Sequence, residues 1–246
     1  MIISQFPQRR TKNLLINAGF RVNQRGYVSG TATAAADEYT IDRWRVLVSG
    51  EFVTFPVLGA DNTITVPAGG MGQKIGGFNI KGGVYTVNWQ GSATCKVNGV
   101  VRKTGESFVL DADTLVDVVF YGGIVNKPQI EEGSIQTSFE YRHFSTERTL
   151  SENYYSKSPV EGERVIVSQY NGLYVRSQKI VFPQKMRVVP TVVLEMIDKV
   201  GATGVQGALY LVLASEEGVS PTWNWTSGTL GRDFVASVTY EADAEL

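Results

Sequence analysis

Short runs of β-branched and aromatic residues alternate with glycine and proline along the whole chain, a pattern that predicts strands joined by tight turns. Such residues favour strands because their side chains pack well on a pleated, half-buried surface. In the first half the runs predict strands at residues 44–48, 53–58, 62–66, 84–89, 93–97, 108–110, 115–121 and 124–130. In the second half they predict strands at residues 164–170, 173–177, 179–182, 191–197, 208–214 and 234–240.

Glycine positions indicate where the turns lie. Asn98-Gly99 predicts a type I′ turn between two strands, because both residues tolerate the positive φ angles that this hairpin needs. The glycines within residues 69–72 and 76–77 are interpreted as turns or bulges between strands. They do not match the G-x-x-x-x-G-K-[ST] pattern of a phosphate-binding loop.

Helix signals are weak. The best candidate covers residues 145–155, where Thr146 is expected to cap the first turn. The sequence therefore predicts an all-β fold of two β-sandwich, jelly-roll-like domains joined by a short helical or turn connector. The expected parts are an N-terminal arm, a first jelly-roll-like domain, the connector and a C-terminal β-sandwich domain, at residues 1–12, 13–145, 146–158 and 159–246.

Composition and charge argue against several classes of protein. The chain has 246 residues, is 43% hydrophobic and carries a net charge of -1. These values are typical of a globular protein and argue against disorder and against general nucleic-acid binding. The chain has neither an apolar run near the roughly 18 residues of a membrane helix nor a signal-peptide pattern. We therefore expect it to fold in a cytoplasm, with no membrane insertion.

Residues able to carry catalysis are few. Cys95 and His143 are single residues of their type, which excludes an intrachain disulfide, a Cys-rich zinc site and a multi-histidine metal site. Cys95 is interpreted as a core residue. Neighbouring acidic residues are interpreted as solvated turn residues, at Asp111 and Asp113, Glu131 and Glu132, and Glu216 and Glu217. The sequence thus predicts no catalytic site, metal site or cofactor.

The most suggestive aromatic residues lie late in the chain. On a strand, Trp223 and Trp225 point to one face and Asn224 to the other. Together with Tyr170 and Tyr174 they are candidate ligand-binding residues that would stack on and hydrogen-bond to sugar rings. The alternative is that the two tryptophans belong to the core or to a subunit interface.

The first 36 residues carry a net positive charge, since they contain arginine and lysine but no acidic residue. Within the N-terminal arm, Arg9, Arg10 and Lys12 are candidate anchoring residues that would dock on an acidic protein surface. The alternative is a solvated basic arm. Direct nucleic-acid contact is disfavoured, because aromatic residues do not interleave with these charges.

Four stretches, in this order, resemble a family of tailed-bacteriophage tail-fibre and receptor-binding proteins. They are NLLIN and FRVNQRGY at residues 13–17 and 20–27, YTIDRWR at 39–45, PQIEEGSIQTSFEYR at 128–142 ahead of Tyr154-Tyr155, and YEADAEL at 240–246. The chain departs from the family pattern at Ser138, where the family usually has proline, and across residues 147–155.

The resemblance implies a structural role for the first two stretches. The first region would be a jelly roll like that of carbohydrate-binding modules, with Trp44 in its core. Arg43 would pair with a carboxylate such as Asp42 or Glu140. The C-terminal domain would be an exposed tip, and the protein would be a homotrimer.

The function that the resemblance implies is that of a non-enzymatic virion protein displayed on the particle surface. Its C-terminal domain would bind host surface polysaccharide, through loops expected at residues 201–207 and 216–231 or through the aromatic positions above. Because only about 12 residues precede the first motif, the arm would attach it to another virion protein of the tail, baseplate or capsid. Alternatives are a capsid-decoration, head-fibre or tail-adaptor protein and, less favoured, a capsule depolymerase.

Overall fold

The computed structural model describes residues 12–57, 63–158, 163–170, 174–177 and 179–245. It is mostly β-strand, and the strand pairings are antiparallel. The all-β class predicted from the sequence is therefore confirmed. The chain divides into two compact units, Met1–Glu147 and Arg148–Leu246.

The first unit contains two antiparallel sheets. Its strands are β1 (Glu38–Tyr39), β2 (Arg45–Val46), β3 (Thr63–Val66), β4 (Met71–Ile75), β5 (Gly83–Gln90), β6 (Thr94–Val97), β7 (Val100–Arg102), β8 (Glu106–Leu110), β9 (Val116–Tyr121) and β10 (Gly123–Glu132), with a 3-10 helix at Gly77–Asn79. One sheet has the order β1-β2-β4-β9-β6-β7 and the other has the order β3-β10-β5-β8. Residues of both sheets contribute to one hydrophobic core.

Aromatic side chains fill the middle of this core. The Trp44 ring lies 5.2 Å from that of Phe20 and 6.3 Å from that of Phe120, which in turn lies 5.6 Å from Trp89. Trp44 is fully buried, as predicted. Cys95 is also buried here, and loss of water around its thiol raises its pKa to about 12. The thiol therefore stays protonated and packs as an apolar group.

Turn predictions in the first unit were partly correct. Asn98 and Gly99 have φ angles of 48° and 78° between β6 and β7, which confirms the hairpin. The glycine-rich stretch at residues 69–72 was interpreted as a turn or bulge. This is confirmed at Gly69 and Gly70, where the Gly70 amide donates to the Pro67 carbonyl oxygen at 3.2 Å, and is wrong at Met71 and Gly72, which lie in β4. A Cβ at Gly72 would lie 2.8 Å from the Val118 carbonyl oxygen, so the glycine lets β4 approach β9.

The strand predicted at residues 53–58 is wrong over its described part. Only Thr54 pairs there, in an isolated bridge with Thr65. Pro56 follows two residues later and has no amide hydrogen to continue a ladder.

Asn17 organises the first motif of the sequence, at residues 13–27. Its side-chain oxygen accepts hydrogen bonds from the amides of Arg21 (2.8 Å) and Val22 (3.0 Å). Its side-chain nitrogen donates to the carbonyl oxygens of Val22 (2.8 Å) and Asp42 (3.0 Å). The residue is fully buried and has a φ of 54°, a left-handed conformation that asparagine tolerates. One side chain thus satisfies four buried backbone groups.

The rest of the motif forms a closed turn. The Asn23 side chain both accepts from the Tyr27 amide and donates to the Tyr27 carbonyl oxygen, each at 2.9 Å. The Asp42 carboxylate accepts from the amides of Gln24 (2.9 Å) and Arg25 (3.3 Å). Burial raises the pKa of Asp42, and these hydrogen bonds oppose that effect. The interpretation of the motif as structural agrees with these contacts.

Glu140 is not the partner of Arg43, although the resemblance suggested that these two residues could form an ion pair. Arg43 is buried and donates to the Lys74 carbonyl oxygen at 2.8 Å. Glu140 pairs with Arg142 instead, at 3.2 Å. Arg142 is itself buried and also donates to the carbonyl oxygens of Asn13 and Leu15. The N-terminal motif and the end of the first unit are therefore joined through Arg142.

The predicted connector contains one α-helix, α1 (Phe144–Glu152), whose first turn belongs to the first unit. It begins before Thr146, so the predicted cap is wrong. The His143 carbonyl oxygen instead accepts from the Glu147 amide (3.1 Å), and the His143 ring accepts from the Ser145 amide (3.4 Å). The helix ends at Glu152, three residues earlier than predicted.

The second unit is built around one very long strand. Its strands are β11 (Tyr155–Lys157), β12 (Glu163–Tyr170), β13 (Tyr174–Ser177), β14 (Ile180–Val181), β15 (Thr191–Ser215) and β16 (Gly218–Asp243). β16 pairs with each of the other five along its length. The described pairings form a single sheet, so a C-terminal β-sandwich stays a prediction.

The loops predicted at residues 201–207 and 216–231 are wrong. Residues 201–207 lie in β15, and all but the first two of residues 216–231 lie in β16. Glycine, serine and threonine suggested loops, but pairing with a long neighbouring strand overrides such local preferences. The pairing of β15 with β16 is irregular in this region, with register shifts at Val200/Ala202 and Thr203/Gln206.

We predict that Asn17→Ala lowers the free energy of unfolding by about 3 kcal/mol or more, because four buried backbone groups lose their partner. Asn17→Gly removes the same bonds but tolerates the left-handed backbone, and should be slightly less harmful. Urea unfolding followed by tryptophan fluorescence measures both. Asn79→Ala, at an exposed position, is the control and should change stability by less than ~0.5 kcal/mol. A loss under 1 kcal/mol for Asn17→Ala would show that the motif is not structural.

Candidate functional site

The candidate site lies on the outer face of the four-stranded sheet of the first unit. Strand β5 alternates, with Tyr85, Val87 and Trp89 in the core. The residues between them, Thr86 and Asn88, therefore belong to the opposite face. In the register of β10 with β5, Glu131 lies opposite Thr86 and Gln129 lies opposite Asn88. These four residues form a polar patch on the outer face.

Two of these polar residues hold the segment at residues 137–140, here called the covering segment, against the sheet. Glu131 accepts from the amide (2.7 Å) and hydroxyl (2.6 Å) of Thr137 and from the Gln129 side-chain nitrogen (2.9 Å). The Gln129 side-chain oxygen accepts from the Glu140 amide at 2.8 Å. Both side chains are almost completely buried. The motif at residues 128–142 thus fixes a chain segment over a sheet.

This result corrects the interpretation of Glu131 and Glu132 as two solvated turn residues. Glu131 is 3% exposed and lies within β10. Glu132 is exposed at the end of the same strand and pairs with Lys81 at 3.0 Å. Alternation along the strand separates the two neighbours, so they do not act as a carboxylate pair.

A groove of about 740 Å³, here called the amide groove, lies beside the covering segment. Its lining combines amides, hydroxyls, aromatic rings and one cation. The lining residues are Asn88, Gln90, Lys127, Gln136, Thr137, Ser138, Phe139 and Tyr141. None of these residues is acidic, so the described lining holds no acid and base pair for hydrolysis of a glycosidic bond.

Lys127 reaches this groove from a β-bulge. The register of β10 against β5 shifts between Asn126 and Gln129, and Lys127 has a φ of 50°. A bulge of this kind changes the direction in which a strand residue points. The tripeptide Asn126-Lys127-Pro128 interrupts the strand pattern, and it is the signal in the sequence that marks this site.

The aromatic residues of the groove have different environments. Phe139 packs against the core, whereas Tyr141 is 63% exposed. The Arg21 guanidinium lies 5.4 Å from the centre of the Tyr141 ring and donates to the Tyr141 hydroxyl. It also lies 5.8 Å from the Phe144 ring. Arg21 therefore restricts the position of an exposed aromatic ring at the groove.

This arrangement is suited to a polar ligand with apolar faces. Amide and hydroxyl side chains provide both donors and acceptors, and a held aromatic ring provides an apolar surface. A saccharide presents this combination of hydroxyl groups and C–H faces. Few, well-placed polar groups in a groove fix the orientation of such a ligand.

A second groove, here called the charged groove, has a volume of about 620 Å³. Its lining residues are Lys12, Leu14, Asn79, Lys81, Tyr85, Glu131, Glu132 and Thr137. Thr137 lines both grooves, so the two grooves meet at the covering segment. Of its two lysines, Lys81 is paired with Glu132.

The predicted ligand-binding residues are in the second unit. Tyr170 pairs with Tyr174 across β12 and β13, and Tyr174 pairs with Asn224 of β16. These three positions form one row across the sheet. Trp223 and Trp225 occupy the alternating positions on either side of Asn224, as the sequence pattern predicted.

Of the three predicted anchoring residues, only Lys12 lies in the described part of the chain. Arg9 and Arg10 lie outside the described residues. Lys12 is exposed and lines the charged groove.

The remaining reactive groups make local contacts. The His143 ring nitrogen lies 2.9 Å from the Ser145 hydroxyl, while Cys95 is buried in the core. In the described part of the chain, histidine, cysteine and acidic residues do not gather in groups of three or more that could hold a metal ion. None of the described helices is long and apolar enough to cross a membrane.

Comparison of the chain with protein-family models, with curated proteins and with solved structures gives no match. The functional assignment therefore depends on the residues themselves and on the resemblance of the four sequence stretches.

We predict that Glu131→Ala releases the covering segment, because the Thr137 amide and the Gln129 side-chain nitrogen lose the carboxylate oxygen that accepts from both. The expected loss of stability is about 1–3 kcal/mol, with amide hydrogen exchange at Thr137 at least about tenfold faster than in the unchanged protein. Mass spectrometry of exchanged peptides measures the second effect locally. Glu132→Ala, one residue away and exposed, is the matched control. Equal exchange rates in the two variants would contradict the role of Glu131.

Proposed function

We propose that the chain is a non-enzymatic virion protein of a tailed bacteriophage, a tail-fibre or receptor-binding protein that attaches to host surface polysaccharide. The observation that carries this proposal is the amide groove. It combines neutral amides and hydroxyls with the exposed ring of Tyr141 on a sheet face. The four sequence stretches support the same class of protein.

The fold suits this role because it provides a rigid support. Phe139 packs on the core and the covering segment is hydrogen-bonded to buried side chains. A groove formed in advance loses little conformational freedom when a ligand binds. Weak binding at each groove would then suffice, since several copies on one particle raise the total affinity by avidity.

The proposed assembly follows the resemblance. Three copies would form a homotrimer, and the basic arm with Arg9, Arg10 and Lys12 would attach it to another virion protein. The C-terminal unit would form the exposed tip, with Trp223, Asn224 and Trp225 as a second set of candidate glycan contacts. No cofactor is required for binding of this kind.

We predict that Tyr141→Ala weakens binding of the full-length protein to immobilised host surface polysaccharide by about tenfold, roughly 1.4 kcal/mol. Tyr141→Phe keeps the ring and should retain most of the binding. Phe78→Ala, at a similarly exposed aromatic outside both grooves, is the control. Biolayer interferometry measures the affinities. If Trp223→Ala with Trp225→Ala abolishes binding and Tyr141→Ala leaves it unchanged, the ligand site is in the second unit instead.

The place of the protein on the particle is tested by immunogold electron microscopy of intact phage. We expect gold at the distal end of the tail, where a receptor-binding protein has to lie. Gold on the capsid or at the neck would contradict this proposal and support a decoration, head-fibre or adaptor role. Preimmune antibody is the control for background labelling.

A further inference from the structure

The amide groove contains a cation without a partner. Among the described residues, no carboxylate forms an ion pair with Lys127. The adjacent charged groove differs, since its lining includes the carboxylates of Glu131 and Glu132, and Glu132 pairs with Lys81 at 3.0 Å. The other side chains that line the amide groove are neutral. A ligand would therefore meet an uncompensated positive charge in the amide groove.

The backbone brings this charge to the groove at a conformational cost. Lys127 has a φ of 50°, in the left-handed region that a residue with a side chain adopts unfavourably. A glycine would adopt the same bulge more easily, but it would supply no charge. The β5 partners of the two residues that flank the bulge are Gln90, opposite Asn126, and Asn88, opposite Gln129, and both are neutral amides. Lys127 therefore shares the lining of the groove with neutral hydrogen-bonding side chains.

We infer that the ligand of the amide groove is an acidic saccharide whose carboxylate is bound by Lys127. This inference rests on the proposed glycan-binding function and specifies its ligand class. A hydrogen bond between an ammonium and a carboxylate is stronger than one between neutral groups. Lys127 is half-buried, so its attraction for an anion is screened less than that of a fully exposed lysine.

The division of roles within the groove follows from the chemistry of its side chains. Lys127 selects the carboxylate of a uronic acid residue. Asn88, Gln90 and Gln136 bind the ring hydroxyls, since each amide both donates and accepts. The Tyr141 ring provides the apolar surface for the sugar face. Removing the carboxylate from the ligand should therefore weaken binding without abolishing it.

The test uses the full-length protein and a panel of hexuronate oligosaccharides, each paired with its carboxyl-reduced, neutral counterpart. Titration calorimetry at low and high salt gives the affinity for each member of a pair. We expect at least one acidic member to bind about tenfold more tightly than its neutral counterpart, the size of one charge-assisted hydrogen bond. High salt should reduce this preference.

Two variants assign the preference to Lys127. Lys127→Asn removes the charge at a position where asparagine tolerates the backbone, and its acid-to-neutral affinity ratio should fall to about one. Lys127→Arg keeps the charge and should keep the preference. Lys81→Asn, in the charged groove, is the matched control. Thermal unfolding verifies that each variant is folded.

The outcomes separate the two proposals. Equal binding of acidic and neutral members by the unchanged protein, or a preference that survives Lys127→Asn, overturns the inference and leaves glycan attachment standing. Absence of binding to every member of the panel and to host polysaccharide overturns both. A preference lost in Lys127→Asn and kept in Lys127→Arg supports the inference.

Discussion

The buried guanidinium of Arg142 is the interaction on which the first unit depends. It binds the carbonyl oxygens of Asn13 and Leu15 and the carboxylates of Glu140 (3.2 Å) and Glu147 (3.4 Å). Removing one partner of a buried charge is strongly destabilising. The first described residues, the end of the covering segment and the first turn of α1 must therefore assemble together. Burial raises the pKa of Glu147, and Arg142 opposes this shift.

The position of the covering segment beside the amide groove depends on these contacts of Arg142. Arg142 holds one end of the covering segment, and Gln129 and Glu131 hold its length. The groove beside it is therefore bordered by buried hydrogen bonds rather than by a free loop. A fixed border lets weak donors and acceptors keep the geometry that selects one ligand.

Structural features that depend only on residues adjacent in the sequence could be predicted from the sequence. The Asn98-Gly99 hairpin is one, because its turn type depends on two adjacent residues. Features that depend on distant partners were missed. Glu131 looked like half of a solvated pair until the fold placed Thr137 against it, and the 201–207 stretch looked like a loop until β16 paired with it. The amide groove joins β5, β10 and the covering segment, so no short stretch of sequence contains it.

The two candidate binding regions differ physically, and the difference favours the amide groove as the specific site. The backbone of Trp223 pairs with Val175 on one side and with Leu209 on the other, so this position lies inside a sheet. A backbone that is paired on both sides is not available to a ligand, so only side chains at this position could contact one. The amide groove is lined by donors, acceptors and a charge, and under the proposed function these groups would distinguish one saccharide from another. Aromatic contacts on β16 would then add adhesion without selecting the sugar.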